Sequence, residues 1–281
     1  MHRRSTAFAG IVAAAALYAT PAQAADGCSA LPNNADLKQA LSSAVAAEGT
    51  GLNLNMWATV VDRDGVVCAV VFTGGNRGAQ WPGSRIISAQ KANTANNFSL
   101  DASAASGPAG GALVLSTANL YSAVQPGGTL FGLQEANPVA TDVAYKGPSA
   151  NYGTHSDAMV GQKIGGTNVF GGGLALYAAG GKLVGAIGVS GDTSCTDHTV
   201  AWRARRNLDL DFLATIPGVG GIFAGDAAHP DNIIFDITAN PNGGTGVSAT
   251  GFGHPTCLNS PPMAPAAVGQ PPVASGLPPV R

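Results

Sequence analysis

The sequence predicts a single α/β domain in which helices flank an antiparallel sheet of about five strands. Pairs of β-rich runs are joined by short glycine-containing turns, at Arg63-Asp64-Gly65 and at Ala179-Gly180-Gly181. Such turns indicate that hairpins, rather than crossovers, connect the strands. Segments with helical spacing precede, separate and follow the hairpins, which gives the order α-β-β-α(α)-β-β-β-α.

The first helix is predicted over residues 36–47, where apolar residues recur at intervals of four along one face. Either Asn34 or Asp36 is the expected N-cap, because short polar side chains accept hydrogen bonds from the first free N–H groups of a helix. The first hairpin follows, with strands over residues 56–62 and 66–72. The second of these runs is apolar at nearly every position, which predicts that both of its faces are covered.

The middle of the chain is predicted to hold two helices and a long excursion. The first helix runs from residue 85 to about residue 100 with Ser84 as its cap, and its evenly spaced alanines let another backbone approach closely. The second is expected over about residues 113–124. Residues 134–172 are polar, glycine-rich and weakly patterned, which is long for a structureless loop. We interpret them as an inserted surface excursion with a candidate functional role.

The second hairpin is predicted from β-rich runs over residues 173–178 and 182–190. Glycines interrupt the second run, and glycine within a strand is typical of a position where another backbone lies close. We therefore expect this strand to lie beside the helix that carries Lys91, with room for a flat guest between layers or between subunits.

The closing elements are less regular. A helix is expected over about residues 194–213, with Asp192 or Thr193 as its cap. One further strand is expected over residues 232–238. Residues 258–281 are rich in proline and are predicted to be disordered or extended.

The N-terminus has the organisation of an export signal. Arg3-Arg4 precedes an apolar run over residues 7–19, and residues 21–24 then give a small-x-small cleavage site. Residues 1–24 are therefore predicted to be a signal peptide, and the protein to be periplasmic or secreted. The apolar run is too short to span a bilayer, and no later run is long enough. The mature chain is expected to form one domain over residues 28–257.

The charge balance argues against nucleic acid as a partner. Removal of the signal peptide leaves twelve basic and sixteen acidic residues, so the net charge changes from −2 to −4. Nucleic-acid binding requires clustered Lys and Arg to neutralise phosphates, which a net negative charge does not favour. A surface with so few charges is typical of a protein with buried oligomer contacts, and a tendency to aggregate is the alternative.

Four cysteines follow the signal peptide, at Cys28, Cys68, Cys195 and Cys257. An even number in an exported protein favours disulfides, and no C-x-x-C pair suggests a zinc or thioredoxin-type site. Three pairings are formally possible. We prefer Cys28–Cys68 with Cys195–Cys257, because each bond would hold one chain end to the folded body and stabilise it by about 2–4 kcal/mol.

Four segments in series carry a resemblance to a known family. Residues 60–65 look like its "VVD-x-x-G" hairpin, and residues 88–95 look like its "S-x-x-A-x-x-KA-x-TA" helix. Residues 171–177 resemble its strand entry without the usual proline, and residues 183–191 match its "VGAIGVSG" strand closely. Together, in this order over about residues 36–213, they resemble the GlcG/HbpS family, also called the haem-degrading domain family.

The resemblance implies a profilin-like fold of α/β/α layers, in agreement with the predicted order of elements. It also implies homo-oligomers, and haem binding in some members, with redox sensing or haem degradation as proposed activities. The chain departs from the family pattern at residues 134–172 and in its proline-rich tail. These departures leave the oligomer geometry open.

Haem requires an apolar slot, cations for its propionates and often an axial ligand. His198 lies one helical turn after Cys195 and is the candidate axial, metal-binding ligand; the alternative is a surface histidine beside a structural disulfide. Lys91 is a candidate partner for a ligand carboxylate, or a side chain lying over apolar surface. Thr94 either contacts the ligand or bonds the i−4 carbonyl. Tyr177 either stacks on haem or packs in the core.

Tyr121, Tyr145 and Tyr152 are further candidates to stack on or ligate haem, and His155 is a candidate to cap a pocket. A hydrolase that uses Ser190, Asp192 and His198 is disfavoured, because these residues lie too close together in sequence for a typical triad. No G-x-S-x-G, dinucleotide-binding or H-E-x-x-H motif is present.

The sequence therefore favours an exported small-molecule-binding protein over an enzyme, with haem as the ligand that the resemblance implies. One alternative is an enzyme that acts on haem or on a small hydroxy acid or aldehyde, using His198 or Lys91. Another is an oligomeric structural protein or sensor partner.

Overall fold

A computed structural model describes residues 27–100, 113–214, 228–244, 246–265 and 269–281. The predicted signal peptide lies outside the described residues. Among the described residues, none of the helices combines the length and the apolar composition that crossing a bilayer requires.

The centre of the domain is an antiparallel sheet with four strands in the described ranges. The strands are β1 (Trp57–Asp62), β2 (Val67–Phe72), β3 (Gly173–Ala178) and β4 (Lys182–Ser190). Their order across the sheet is β2-β1-β4-β3, so both predicted hairpins are present. Pairing of β1 with β4 joins the two hairpins into one sheet.

A fifth strand in this sheet is not confirmed. Within the segment 232–238, only β5 (Ile237–Thr238) is a strand, and it pairs with β6 (Val247–Ser248) in a separate ribbon. Upstream, the side chain of Asn232 accepts a hydrogen bond from the N–H of Ile233 and donates one to a carbonyl of the C-terminal segment. These bonds occupy backbone groups that a longer strand would use.

Helices cover both faces of the sheet and give three layers. α1 (Asn34–Ala46) and α5 (Ser194–Asn207) pack together on one face, and α2 (Ser84–Phe98) packs on the other. Successive residues of β1 divide between the two faces, with Val60 in the core beneath α1 and α5 and Val61 in the core beneath α2. The sheet is therefore buried on both sides, as the apolar run of β2 predicts.

The N-cap residues of two helices differ from the predicted ones. Asn33, rather than Asn34 or Asp36, caps α1, and its side chain accepts hydrogen bonds from two N–H groups of the first turn. Ser84 is the first residue of α2 and Gly83 is the cap. Both differences are shifts of one to three residues, which is the usual uncertainty of a helix boundary.

The closing helix is shorter than predicted. Thr193 caps α5, as one of the two predicted alternatives, and the helix ends at Asn207 instead of residue 213. Asp209 has a φ of 54°, a left-handed conformation that an α-helix does not contain.

The prediction of a helix over residues 113–124 is wrong. Two short 3₁₀ turns, Thr117–Leu120 and Ser122–Val124, take its place. The side chains of Ser116 and Asn119 bond each other's backbone N–H groups, and such local bonds compete with a continuous helix.

The insertion is packed against the domain. It contains the short helices α3 (Leu133–Ala136) and α4 (Thr141–Ala144), and Met159 and Ile164 are buried in the core beneath α2. The excursion therefore covers the α2 side of the molecule and contributes to its core.

The C-terminal segment, predicted to be disordered or extended, forms the ribbon β7 (Met263–Pro265) with β8 (Pro272–Ala274). Leu277 and Val280 are buried in the core of α1 and α5, and the indole N–H of Trp202 donates to the carbonyl of Pro278 at 2.9 Å. Prolines restrict the segment to extended conformations but leave it free to bury apolar side chains.

Both preferred disulfides are present. Cys28–Cys68 joins the first described turn to β2, and Cys195–Cys257 joins the first turn of α5 to the segment that follows β6. Each bond holds a terminal region to the sheet-and-helix body, which is the reason for which this pairing was preferred.

Candidate functional site

The glycines of the sheet bring α2 into direct contact with the strands. A Cβ atom added at Gly188 would lie 2.5 Å from the backbone nitrogen of Ala92 and closer still to the carbonyl oxygen of Ser88. A Cβ atom at Gly173 would lie 2.5 Å from the carbonyl oxygen of Lys91. The strand and the helix are adjacent as predicted, but the structure leaves no gap between them for a flat guest.

The ammonium group of Lys91 is bound to partners within the domain. Its Nζ donates to Asp197 Oδ2 at 2.7 Å and to the carbonyl of Val189 at 3.1 Å, and its side chain is 1% exposed. Burial lowers the pKa of Lys91, against the opposing effect of Asp197, and burial raises the pKa of Asp197 to about 6. Lys91 thus ties α2 to β4 and α5.

Thr94 and Tyr177 also have internal partners. The hydroxyl of Thr94 donates to the i−4 carbonyl of Gln90 at 2.7 Å and accepts from the N–H of Asn168 at 3.0 Å. Tyr177 is buried, and its hydroxyl donates to the carbonyl of Leu100 at 3.0 Å. Thr94 therefore bonds the i−4 carbonyl and Tyr177 packs in the core, which are the two structural roles that the sequence analysis gave as alternatives.

His198 lies in the interior on α5, with no measurable exposure. Neither ring nitrogen has a hydrogen-bond partner among the described residues. Burial, with smaller contributions from the charges of Arg205, His254 and Lys91, lowers the pKa of His198 to about 3. The ring is therefore neutral at pH 7, the form that ligates metals, but it is enclosed by protein.

We expect His198→Leu to raise the free energy of unfolding at pH 7 by about 1–2 kcal/mol, because the substitution removes two buried nitrogens that lack hydrogen-bond partners. Since the pKa of His198 is lower in the folded state than in the unfolded chain, the free energy of unfolding is highest above pH 6.5 and decreases as the pH falls toward 3, because the unfolded chain takes up a proton. In the wild type, this group makes the free energy of unfolding change by about 1.4 kcal/mol per pH unit between pH 6 and 4, and the variant should lack this dependence when measured by urea unfolding.

The exposed His155 provides a matched control for this measurement. His155→Leu should leave both the stability at pH 7 and the pH slope unchanged. An unaltered slope in His198→Leu would mean that the ring is protonated in the folded protein.

A cavity of about 330 Å³ opens beside the N-terminal end of α2. Three elements meet there: β1 contributes Trp57, the start of α2 contributes Ile86, and the insertion contributes Tyr145 and Tyr152. Most of the lining is aromatic or aliphatic, and such a concave apolar surface with a few polar groups is typical of a small-molecule site.

Two arginines supply the charge of this cavity. Arg85 is buried, forms a bidentate ion pair with Asp157, and lies 3.6 Å above the ring of Tyr152. Its charge is therefore neutralised within the protein. Arg77 is exposed and has no ion-pair partner in the described part of the chain. Arg77 is thus the cation that remains for an anionic ligand.

Trp57 adds one unsatisfied polar atom. The indole Nε1 is buried and lacks a hydrogen-bond partner among the residues that the structure describes. A buried donor without an acceptor is unfavourable by about 1–3 kcal/mol.

The structure separates the residues that the sequence singled out. Tyr145 and Tyr152 lie together at the cavity, whereas Tyr177, Lys91 and His198 lie in the interior. Sequence reasoning missed Trp57 and Arg77, because a tryptophan in a strand and an arginine in a loop carry no motif.

Three solved structures are similar to this chain. PduOC in complex with haem is 21% identical, with a TM-score of 0.40, and the match covers 63% of this chain and 91% of that one. Klebsiella pneumoniae protein ORFY is 24% identical, with a TM-score of 0.39 and coverages of 63% and 90%. A double mutant of Streptomyces reticuli HbpS is 17% identical, with a TM-score of 0.35 and coverages of 72% and 99%.

No curated protein matches the sequence. A family model described as "Haem degrading protein HbpS-like" matches residues 33–206, which is more than half of the chain and includes the sheet, α1, α2 and almost all of α5. This match confirms the resemblance inferred from the four sequence segments. The chain therefore belongs to the HbpS-like family of haem-degrading proteins.

Proposed function

We propose that this protein is an exported, periplasmic or secreted haem-binding protein. The observation that carries the proposal is the match of a haem-degrading family model over residues 33–206. The two disulfides support an oxidising compartment, because such bonds persist outside the cytosol.

We infer that the cavity beside α2 is the haem site. A porphyrin is flat, largely apolar and carries two carboxylates, so it favours aromatic walls with a cation at the rim. Trp57, Ile86 and Tyr152 provide the walls, and Arg77 provides the cation.

Tyr145 is the proposed ligand of the haem iron in this cavity. It is 65% exposed, and tyrosine is an established type of axial ligand. The hydroxyl of Tyr152, by contrast, donates to the carbonyls of Tyr145 and Gly147 within the insertion. The iron would supply the redox or oxygen chemistry of the bound group, and the protein side chains bind and orient it. His198, the axial-ligand candidate from the sequence, is retained as the competing assignment.

Haem titration followed in the Soret band tests the site. The wild-type protein should give a saturable shift, and Tyr145→Ala should weaken binding about tenfold, equivalent to about 1.4 kcal/mol. Arg77→Ala should weaken it about fivefold through loss of the carboxylate partner. Phe131→Ala removes an aromatic residue that is 67% exposed elsewhere and should leave the affinity unchanged.

The outcomes separate the two parts of the proposal. The absence of a saturable shift in the wild type would overturn haem binding. A shift that is lost in His198→Ala and kept in Tyr145→Ala would move the site from the cavity to α5. We further propose that the protein forms homo-oligomers, which sizing of the same samples with and without haem tests.

A further inference from the structure

A serine and a histidine are paired on the opposite side of the sheet from the α2 cavity. Ser194 is the first residue of α5, and its Oγ lies 2.7 Å from Nε2 of His254. The backbone N–H of Gly171 donates to the same Oγ at 2.6 Å. His254 is 2% exposed, whereas Ser194 is partly exposed.

The second nitrogen of His254 determines which way the proton points. Nδ1 lies 2.7 Å from the carbonyl oxygen of Pro255, which can only accept a hydrogen bond. Nδ1 therefore carries the proton, and Nε2 is the unprotonated nitrogen that accepts the hydroxyl proton of Ser194. Burial lowers the pKa of His254 to about 4, so the ring is neutral and able to act as a base at pH 7.

This pair joins the family domain to the chain that follows it. The family match ends at residue 206, so Ser194 lies within it and His254 lies beyond it. The disulfide Cys195–Cys257 fastens the residue after Ser194 to a residue three positions after His254. The ring of Tyr121 packs on the His254 ring at 4.9 Å. The C-terminal segment thus places His254 beside Ser194, which lies within the family domain.

A second cavity borders His254, and the Oγ of Ser194 lies 2.7 Å from the Nε2 atom of that ring. The cavity has a volume of about 330 Å³ and is lined by His254 and Pro255 together with Phe235, Ile237 and Asn240. Its apolar wall and limited size suit a short acyl group.

We propose that Ser194 is a nucleophile activated by His254 and that it hydrolyses small esters. The Oγ atom, held by the Gly171 N–H, forms a bond to the ester carbonyl carbon while its proton moves to Nε2, and the negative charge develops on the former carbonyl oxygen. The carbon–oxygen bond to the alcohol breaks, and the alcohol leaves with the proton from Nε2. Water then attacks the acyl-serine through the same base and restores Ser194 and the carboxylic acid.

A backbone carbonyl orients His254 here, where many serine hydrolases use a carboxylate. A carbonyl stabilises the positive ring of the transition state less than a carboxylate does. Esters, whose alcohols are better leaving groups than amines, are therefore the substrate class that this pair fits.

The test uses p-nitrophenyl acetate for turnover and a fluorophosphonate for covalent labelling of the full-length protein. The wild type should hydrolyse the ester and gain one fluorophosphonate adduct, located on Ser194 by peptide mass spectrometry. Ser194→Ala should lose both signals. His254→Gln should slow labelling by about 100-fold or more, since it removes the base.

Ser122→Ala is the matched control. Its hydroxyl donates to the carbonyl of Gly253 at 2.6 Å, so it holds the same segment without belonging to the pair. This variant should keep the wild-type rate and the adduct. Circular dichroism reports whether each variant folds, and the adduct map on the wild type decides the question even if Ser194→Ala does not fold. An unlabelled Ser194 in the wild type, or equal ester turnover in wild type and a folded Ser194→Ala, would overturn the proposal.

Discussion

Replacement of Asp231 by alanine is expected to lower the free energy of unfolding by about 3–5 kcal/mol. Asp231 forms a bidentate ion pair with Arg205 of α5, at 2.6 and 2.8 Å, and neither side chain is exposed. Without the carboxylate, the guanidinium stays in the core with its desolvation uncompensated. The thermal midpoint should fall by roughly 10 °C, measured by circular dichroism alongside urea unfolding.

An exposed ion pair of the same kind gives the control. Asp209, which is 74% exposed, pairs with Arg281 at 2.7 Å, and Asp209→Asn should change stability by less than about 0.5 kcal/mol. A double variant, Arg205→Met with Asp231→Leu, should recover most of the loss, because it removes both charges. A loss for Asp231→Ala no larger than that for Asp209→Asn would show that the buried pair is not essential.

Gly188→Ala is expected to destabilise the protein by about 3 kcal/mol, at the upper end for overpacking of a core. The added methyl group would overlap the backbone of α2 at Ser88 and Ala92, and backbone atoms cannot rotate away as side chains do. α2 and β4 must therefore separate. The separation would also disturb the ion pair of Lys91, which depends on the same contact. Urea unfolding of the purified variant measures the loss.

Gly49→Ala is the control for this substitution. Gly49 follows α1, and a Cβ atom at this position would have no neighbour within 4 Å. Its stability should remain within about 0.5 kcal/mol of the wild type. Equal stability of the Gly188 and Gly49 variants would contradict the close packing of α2 on β4.

The elements that the sequence predicted are those formed by local chemistry. The hairpin turns at Gly65 and Gly180, with φ of 78° and 79°, use glycine in left-handed conformations, which is why turn signals located the four strands of the central sheet. Helical spacing located α1, α2 and α5 for the same reason. The helix at 113–124 was predicted wrongly because the polar side chains of Ser116 and Asn119 bond the backbone locally, which an apolar period does not reveal.

The candidate haem site was only partly predictable. Tyr145 and Tyr152 were named as candidates from their type alone, but Trp57 and Arg77 join them through folding of distant segments. Lys91 was selected from a family motif, and its partner Asp197 is 106 residues away in sequence. No local sequence pattern predicts that the charges of Lys91 and Asp197 neutralise each other inside the protein.

The sequence by itself determined the family, the hairpins and the three long helices, because turn chemistry, periodicity and motif spacing are short-range properties. Only the tertiary structure decided which polar groups meet, which cavity lies open and where the C-terminal segment packs. Proximity between Ser194 and His254, 60 residues apart, depends on a disulfide and on core packing. Such contacts are set by how layers pack in three dimensions, and the order of residues along the chain does not encode their distances directly.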